Sequence, residues 1–448
     1  MARSLSVVVL GFAFAACADD ATTGGGGSTA GSGGLGGEAV TGGAGGIGGG
    51  GSGTAGGGAE AGGSATTGGA GGVGGSGGGV SLLPPPCPPG ALELAVDLAC
   101  DGVGPAPTAA LLNEVNGAIR GEVLSGLSEL SQSTCMPVRT CVPDSGPTLI
   151  FSDEPEYVDS DGVLYADEVE TGRYRVYVYH VNDGSQRRRF TAVALNQTAV
   201  PVTFTVEKLA LAAPSTNFLN VGRNVARDFL DAPGKPMVTV PPMTRVVVDG
   251  ELDDLVADSG ELVHSIFQIN VIGALKLSIV SVPEAANAAT LTASLSLLPN
   301  SGTHTRGTFP LADRILMTRF PGGLKRLRLG GDEPIDPHLS GTSYVDGMPV
   351  TLAGNFGLLY EVRVAEPGEE LFLAVNPRAG VWAGAASGSA GLDGNGGYYL
   401  LPSQETSVAL NSEAVSLGRY TSGIGVASKL LTAGGSNLPI HLVVGPLQ

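Results

Sequence analysis

Alternation of apolar and polar residues constrains this chain more than any other feature. From Arg173 to Val181, Tyr174, Val176, Val178 and His180 fall on one face of an extended chain, while Arg175, Tyr177, Tyr179 and Val181 fall on the other. Both faces carry large side chains, so the segment predicts a strand occupied on both sides. Asn182-Asp183-Gly184-Ser185 is a strong turn signal, and Phe190 to Leu195 reads as the return strand of a hairpin. Val200, Val202, Phe204 and Val206 then alternate with Pro201, Thr203, Thr205 and Glu207 as another half-buried strand. Similar runs at Met237 to Val240, Arg245 to Val248, Leu262 to Val271 and Ala274 to Val282 predict an antiparallel sandwich over 147–285. A second series, starting at Leu291 to Leu298 and continuing through Arg314 to Phe320, Leu324 to Leu329, Met348 to Leu352, Gly357 to Val364, Glu370 to Val375, Tyr398 to Leu401, Thr406 to Leu410 and Ile440 to Val444, predicts another over 286–448. Aromatic residues at 5% suit such short strands.

The N-terminal part obeys different rules. From about Ala21 to Gly79 the chain is almost entirely Gly, Ser, Ala and Thr, which cannot bury enough apolar surface to offset ordering. A flexible tether over 17–80 is expected, with a typical reach of about 45 Å. Glycine does not recur strictly every third residue there, which excludes a collagen helix. Pro84-Pro85-Pro86-Cys87-Pro88-Pro89-Gly90 stiffens its exit. Beyond it, Leu111, Leu112, Val115, Ile119, Val123, Leu127 and Leu130 recur at helical spacing after the cap candidate Thr108, predicting about five turns of helix. Cys87, Cys100, Cys135 and Cys141 form an even set, which predicts two disulfides with the pairing left open. The fold expected is mainly β: two antiparallel β-sandwich-like domains after a disordered Gly-rich tether and a small disulfide-stabilised helical module over 81–146.

Residues 1–16 read as a secretory signal, with Arg3 followed by an apolar run from Leu5 to Phe14 that is too short to span a bilayer. Phe14-Ala15-Ala16-Cys17 resembles a bacterial lipobox, which implies lipidation of Cys17 and a membrane anchor. Ala18 after that cysteine matches the pattern for sorting to the outer membrane. The tether resembles those of surface and periplasmic lipoproteins of Gram-negative bacteria. A net charge of -18 argues against nucleic acid as a partner and against adhesion to anionic lipid.

Val176-Tyr-Val-Tyr-His180 with Asn182-Asp183, Arg306-Gly-Thr-Phe309, Gly354 to Tyr360, Asn376 to Gly384 and Ser436-Asn-Leu-Pro439 form a set of landmarks. From Thr148 to the end they resemble a β-rich region of secreted or wall-associated Gram-positive proteins, found beside stalk modules named after the copper amine oxidase N-terminal domain. The resemblance implies an envelope setting and no chemistry. Amine oxidase catalysis needs a quinone-forming tyrosine, usually after Asn, and this chain has no Asn-Tyr pair.

No motif points to catalysis. His180, His264, His304, His338 and His441 are scattered, no phosphate-binding loop is present, and no Gly-x-Ser-x-Gly elbow stands between a strand and a helix. Asp153, Asp159 and Asp161 offer hard oxygens for a structural calcium, as do Asp393 and Asn395, although solvated turns explain both. No other cofactor is expected. Arg187, Arg188 and Arg189, with Arg173 and Arg175 on the preceding strand, are candidates to meet uronate or phosphate groups of an envelope polymer. Trp382 is either a stacking platform or a core residue, and the core is favoured. The expectation is a lipid-anchored, non-enzymatic envelope protein with a structural, adhesive or polysaccharide-binding role, its partner being a polysaccharide or another envelope protein. The alternative is a carbohydrate-active hydrolase using two carboxylates.

Overall fold

A computed structural model describes residues 83–448 apart from 101, 366, 367, 395 and 422. Cys17, the signal, the tether and Asn395 lie outside the described residues.

The described chain is mainly β, arranged in four sheets rich in antiparallel pairs. The nine-stranded sheet runs, in spatial order, through Met237–Val240, Val202–Leu211, Leu262–Ile272, Gly172–Asn182, Thr148–Ser152, Arg306–Phe309, Leu339–Ser343 and Met348–Leu352, with Tyr157–Val158 beside Gly172–Asn182. The alternation of Gly172–Asn182 explains its central place. Val176 and Val178 enter one core, while Tyr177, Tyr179 and Val181 enter another. The first of these cores joins it to a four-stranded sheet ordered Arg245–Val247, Arg188–Leu195, Leu275–Pro283 and Gly162–Val169, through Phe190, Ala192, Leu277 and Ile279 among others.

The hairpin expected at Asn182 to Ser185 does not form. Gly172–Asn182 pairs with Leu262–Ile272, whereas Arg188–Leu195 pairs with Leu275–Pro283 in the facing sheet. The Asn182 amide donates to the carbonyls of Gln186 and Ala257, holding a turn that carries the chain from one sheet to the other. Two longer helices are α1, Ala109–Gly117, and α2, Phe218–Asp231; α2, absent from the sequence reading, packs here. Val221, Val225, Ala226 and Phe229 give α2 its buried stripe, and Asn217 caps it by accepting from the Asn220 N–H at 3.2 Å. It lies against strands of the nine-stranded sheet and against Gly384–Gly388 and Gly397–Leu401. Gly222 permits the approach, since a Cβ there would stand 2.3 Å from the Gly434 carbonyl oxygen.

The other two sheets share a core that includes Leu316, Val362, Leu373, Val415 and Leu442. One is seven-stranded, from Ala91–Asp97 and Val138–Pro143 through Asp313–Arg319, Leu359–Ala365 and Val426–Thr432 to Gly384–Gly388 and Gly397–Leu401. The other is six-stranded: Val123–Leu124, Ala414–Tyr420, Leu371–Pro377, Ile440–Pro446, Lys325–Leu329 and Thr134–Cys135. The cysteine-bearing segment thus contributes strands to both sheets. Its helix is α1 alone, nine residues long, begun by Thr108, whose Oγ1 accepts from the Leu111 N–H at 3.2 Å. The five turns expected do not form because the chain turns extended after Gly117 and adopts positive φ at Gly121 (80°) and Gly126 (75°), where glycine carries little penalty. Leu111, Val115, Leu124, Leu127 and Leu130 still bury together, against Phe372, Ala374 and Val443 on the outer face of the six-stranded sheet. Disulfides Cys87–Cys141 and Cys100–Cys135 close this region.

The outer face of the four-stranded sheet is treated differently. Short helix α3 (Gly250–Asp253) places Leu252 in the core between the two sheets, whereas α4 (Ala288–Leu291) lies against the outer face, where Val193, Val280, Val282 and Ala288 form a small core. The strand expected at Leu291 to Leu298 is instead α4 followed by a segment that meets Val163 through Ser296 and Leu298.

Candidate functional site

The basic residues singled out above do not form an open surface. Arg188 and Arg189 are buried: Arg188 meets Asp161 at 2.5 Å and donates to the Asp159 carbonyl at 2.6 Å, and Arg189 meets Asp253 at 2.8 Å. Arg175 is also buried, donating to the carbonyls of Ala312 and Gly357 and meeting Asp313 at 2.6 Å. Guanidinium groups removed from water need such acceptors, so these side chains are occupied by the fold. Arg187 is more exposed, between Asp258 at 3.0 Å and Glu284 at 2.6 Å, and Arg173 faces Glu207 at 2.9 Å. Trp382 is fully buried in the largest core, as favoured above.

Asp153, Asp159 and Asp161 do not come together either. Asp161 is drawn to Arg188, while Asp153 joins Glu156 and His304, the one described trio whose ligand atoms all lie within 4.8 Å of one another. His304 Nε2 lies 2.6 Å from Glu156 Oε2 and Nδ1 lies 3.5 Å from Asp153 Oδ2. Glu154 positions the loop that carries His304, accepting from the backbone N–H groups of Ser301 and His304. Hydrogen bonds to Asp153 and Glu156 push His304 up to about 10, and burial pushes the Asp153 carboxyl up to about 7. Two oxygens and one imidazole suit Zn²⁺ better than Ca²⁺, which takes about 6–8 oxygens. An imidazolium held between the carboxylates already supplies the positive charge.

A concave site lies elsewhere, on the uncovered half of the four-stranded sheet's outer face. It is a groove of about 480 Å³, lined by Thr292, Leu295, Leu297, Tyr344 and Val345 together with residues of the sheet. Register builds its floor. Leu195 pairs with Arg245 on one side and with Lys276 on the other, and Lys276 pairs in turn with Glu168. Directly opposed residues point to the same face, so Arg245, Leu195, Lys276 and Glu168 form one row. Among the described residues, the side chains of Arg245 and Lys276 have neither an ion-pair nor a hydrogen-bond partner. Gln197, with its amide turned to donate, reaches both Glu168 oxygens at 3.2 Å. Tyr344 is 60% exposed. The sequence placed Arg245 and Lys276 on strands and left them unremarked, because nothing local tells that both strands flank Leu195.

No family model matches the chain, and no curated protein matches it. Among solved structures, the tandem CBM22 N-terminal domains of Paenibacillus barcinonensis Xyn10C align at 10% identity over 82% of this chain and 99% of that one, with a TM-score of 0.13. A variant of Bacillus subtilis oxalate decarboxylase aligns at 13% identity over 68% and 78%, with a TM-score of 0.11. Likeness this low carries no argument about fold or activity. No helix among the described residues is long and apolar enough to cross a membrane.

Proposed function

We propose that this chain is a lipid-anchored protein of the bacterial envelope whose folded part binds an envelope polysaccharide and catalyses no reaction. In this reading Cys17 carries the lipid, Ala18 directs the protein to the outer membrane, and the 17–80 tether lets the body stand away from the bilayer. The body is read as two sandwich-like units, one made by the nine- and four-stranded sheets and one by the seven- and six-stranded sheets. The two disulfides accord with an oxidising compartment.

The observation that carries the reading is the groove, where two cations stand on a sheet floor beside an exposed tyrosine and no pair of described carboxylates converges. A concave site with few polar groups and an aromatic wall suits recognition. The hydrolase alternative has one observation in its favour, the nearness of Asp153 and Glu156 with Asp153 pushed up to about 7. His304 occupies the gap that a glycosidic oxygen would need. Co-sedimentation of the chain with isolated sacculi and envelope polysaccharide tests the proposal. Saturable retention by the polysaccharide, without release of reducing sugar, is expected. Absence of retention by both polymers would turn the search toward an envelope protein.

A further inference from the structure

We infer that the groove on the four-stranded sheet takes a carboxylated glycan, with Arg245 and Lys276 meeting carboxylates and Tyr344 packing on a sugar ring. The inference rests on the polysaccharide-binding reading and names the class of ligand.

Charge carries it. The chain has 42 acidic against 24 basic side chains, and of the arginines weighed above each has an acidic partner. Arg245 and Lys276 instead share one concave surface with no carboxylate paired to either. Neither cation holds a salt bridge, and Glu168 beside Lys276 offsets only one of the two charges, so the row attracts an anion from outside. Both stand opposite Leu195, so their Cα atoms are two strand spacings apart, roughly 10 Å. That separation lets each meet a different charged group of one extended polymer.

Glu168 stands beside Lys276, so the row sums to one positive charge: Arg245 and Lys276 less Glu168. A glycerol phosphodiester polymer also carries one charge per unit but offers the Tyr344 ring no sugar face. A carboxylate carries one charge and matches the planar fork of a guanidinium bidentately. The wall residue Tyr344 offers an aromatic face with a polar tip, suited to a ligand whose faces are apolar and whose rim is hydroxylated.

The test uses the full chain and equilibrium binding to polygalacturonate, to the same polymer with its carboxylates methyl-esterified, and to poly(glycerol phosphate). Polygalacturonate should bind, with esterification weakening affinity about tenfold or more. Arg245→Gln and Lys276→Gln should each weaken it roughly five- to tenfold, and Glu168→Gln should tighten it about two- to threefold. Glu168 is exposed and Arg245 and Lys276 are half-buried, and unchanged thermal unfolding confirms that each variant is folded. Equal binding of the esterified polymer would overturn the carboxylate assignment while leaving polysaccharide binding intact, and preference for the phosphate polymer would overturn it in the same way. Retention of no polymer at all would remove both the inference and the reading beneath it.

Discussion

Two sheets in this molecule present an outer face that the shared cores do not use, and the chain covers them unequally. On the six-stranded sheet, Phe372, Ala374 and Val443 point outward and are sealed by α1, Leu124, Leu127 and Leu130, with a disulfide at the segment's end. On the four-stranded sheet, α4 and the segment after it seal Val193, Val280 and Val282, and the cover stops before Arg245, Leu195 and Lys276. The residues fit the difference. The sealed face is apolar and would be unstable in water, whereas the open row is charged and needs none of that cover. Cover on the first face stabilises the fold, and its absence on the second leaves a site.

The largest expected effect comes from loosening the sealed face. Cys100 and Cys135 are 35 residues apart in sequence, and the chain-entropy model assigns such a crosslink about 3–4 kcal/mol. Replacing both by Ala should lower unfolding free energy by about that amount in denaturant titration, and should raise hydrogen exchange across 109–132 while leaving 286–298 unchanged. Equal loosening of both covers would break the comparison. Acid should act next. His441 lies on the sealed face opposite Arg328, and burial, then the nearby Arg326, Arg378 and Arg328, push it down to about 3. A histidine whose folded value lies below its unfolded value contributes stability that is complete above about 6.5 and is lost as pH falls toward 3. The loss should reach on the order of 3 kcal/mol. His441→Gln should flatten that part of the stability profile. The smallest effect concerns the partial cover: Asn287 caps α4 by accepting from the Thr290 N–H at 2.9 Å, so Asn287→Ala should cost about 1 kcal/mol. Calorimetry should find it, with the sealed face undisturbed.

Much of this architecture was legible in the sequence, for reasons that differ by element. The two-sided burial of Tyr177 and Val178 follows from alternation, and strands such as Leu262–Ile272 and Ile440–Pro446 fall where the pattern places them. The fate of Phe190 to Leu195 was not legible, because a turn signal fixes a change of direction and leaves the choice of sheet to long-range packing. Helical spacing from Leu111 to Leu130 reported correctly that one side is buried, yet the burial is achieved mostly by a winding extended chain, and Ile119 is exposed. The candidate site was the least legible part. The cluster Arg187-Arg188-Arg189 is conspicuous in the sequence through its charge, but two of its members are buried with acids more than 25 residues away in sequence. Arg245 and Lys276 become a pair only through register with Leu195.

The central claim is that ligand binds where the cover on the four-stranded sheet stops. Hydrogen exchange of the full chain, with and without saturating polysaccharide, tests it most directly. Protection confined to 163–169, 193–197, 245–247, 276–278, 292–297 and 344–345, with none at 109–132, is the result predicted. Protection centred on the sealed face, or on the Asp153, Glu156 and His304 cluster, would contradict it.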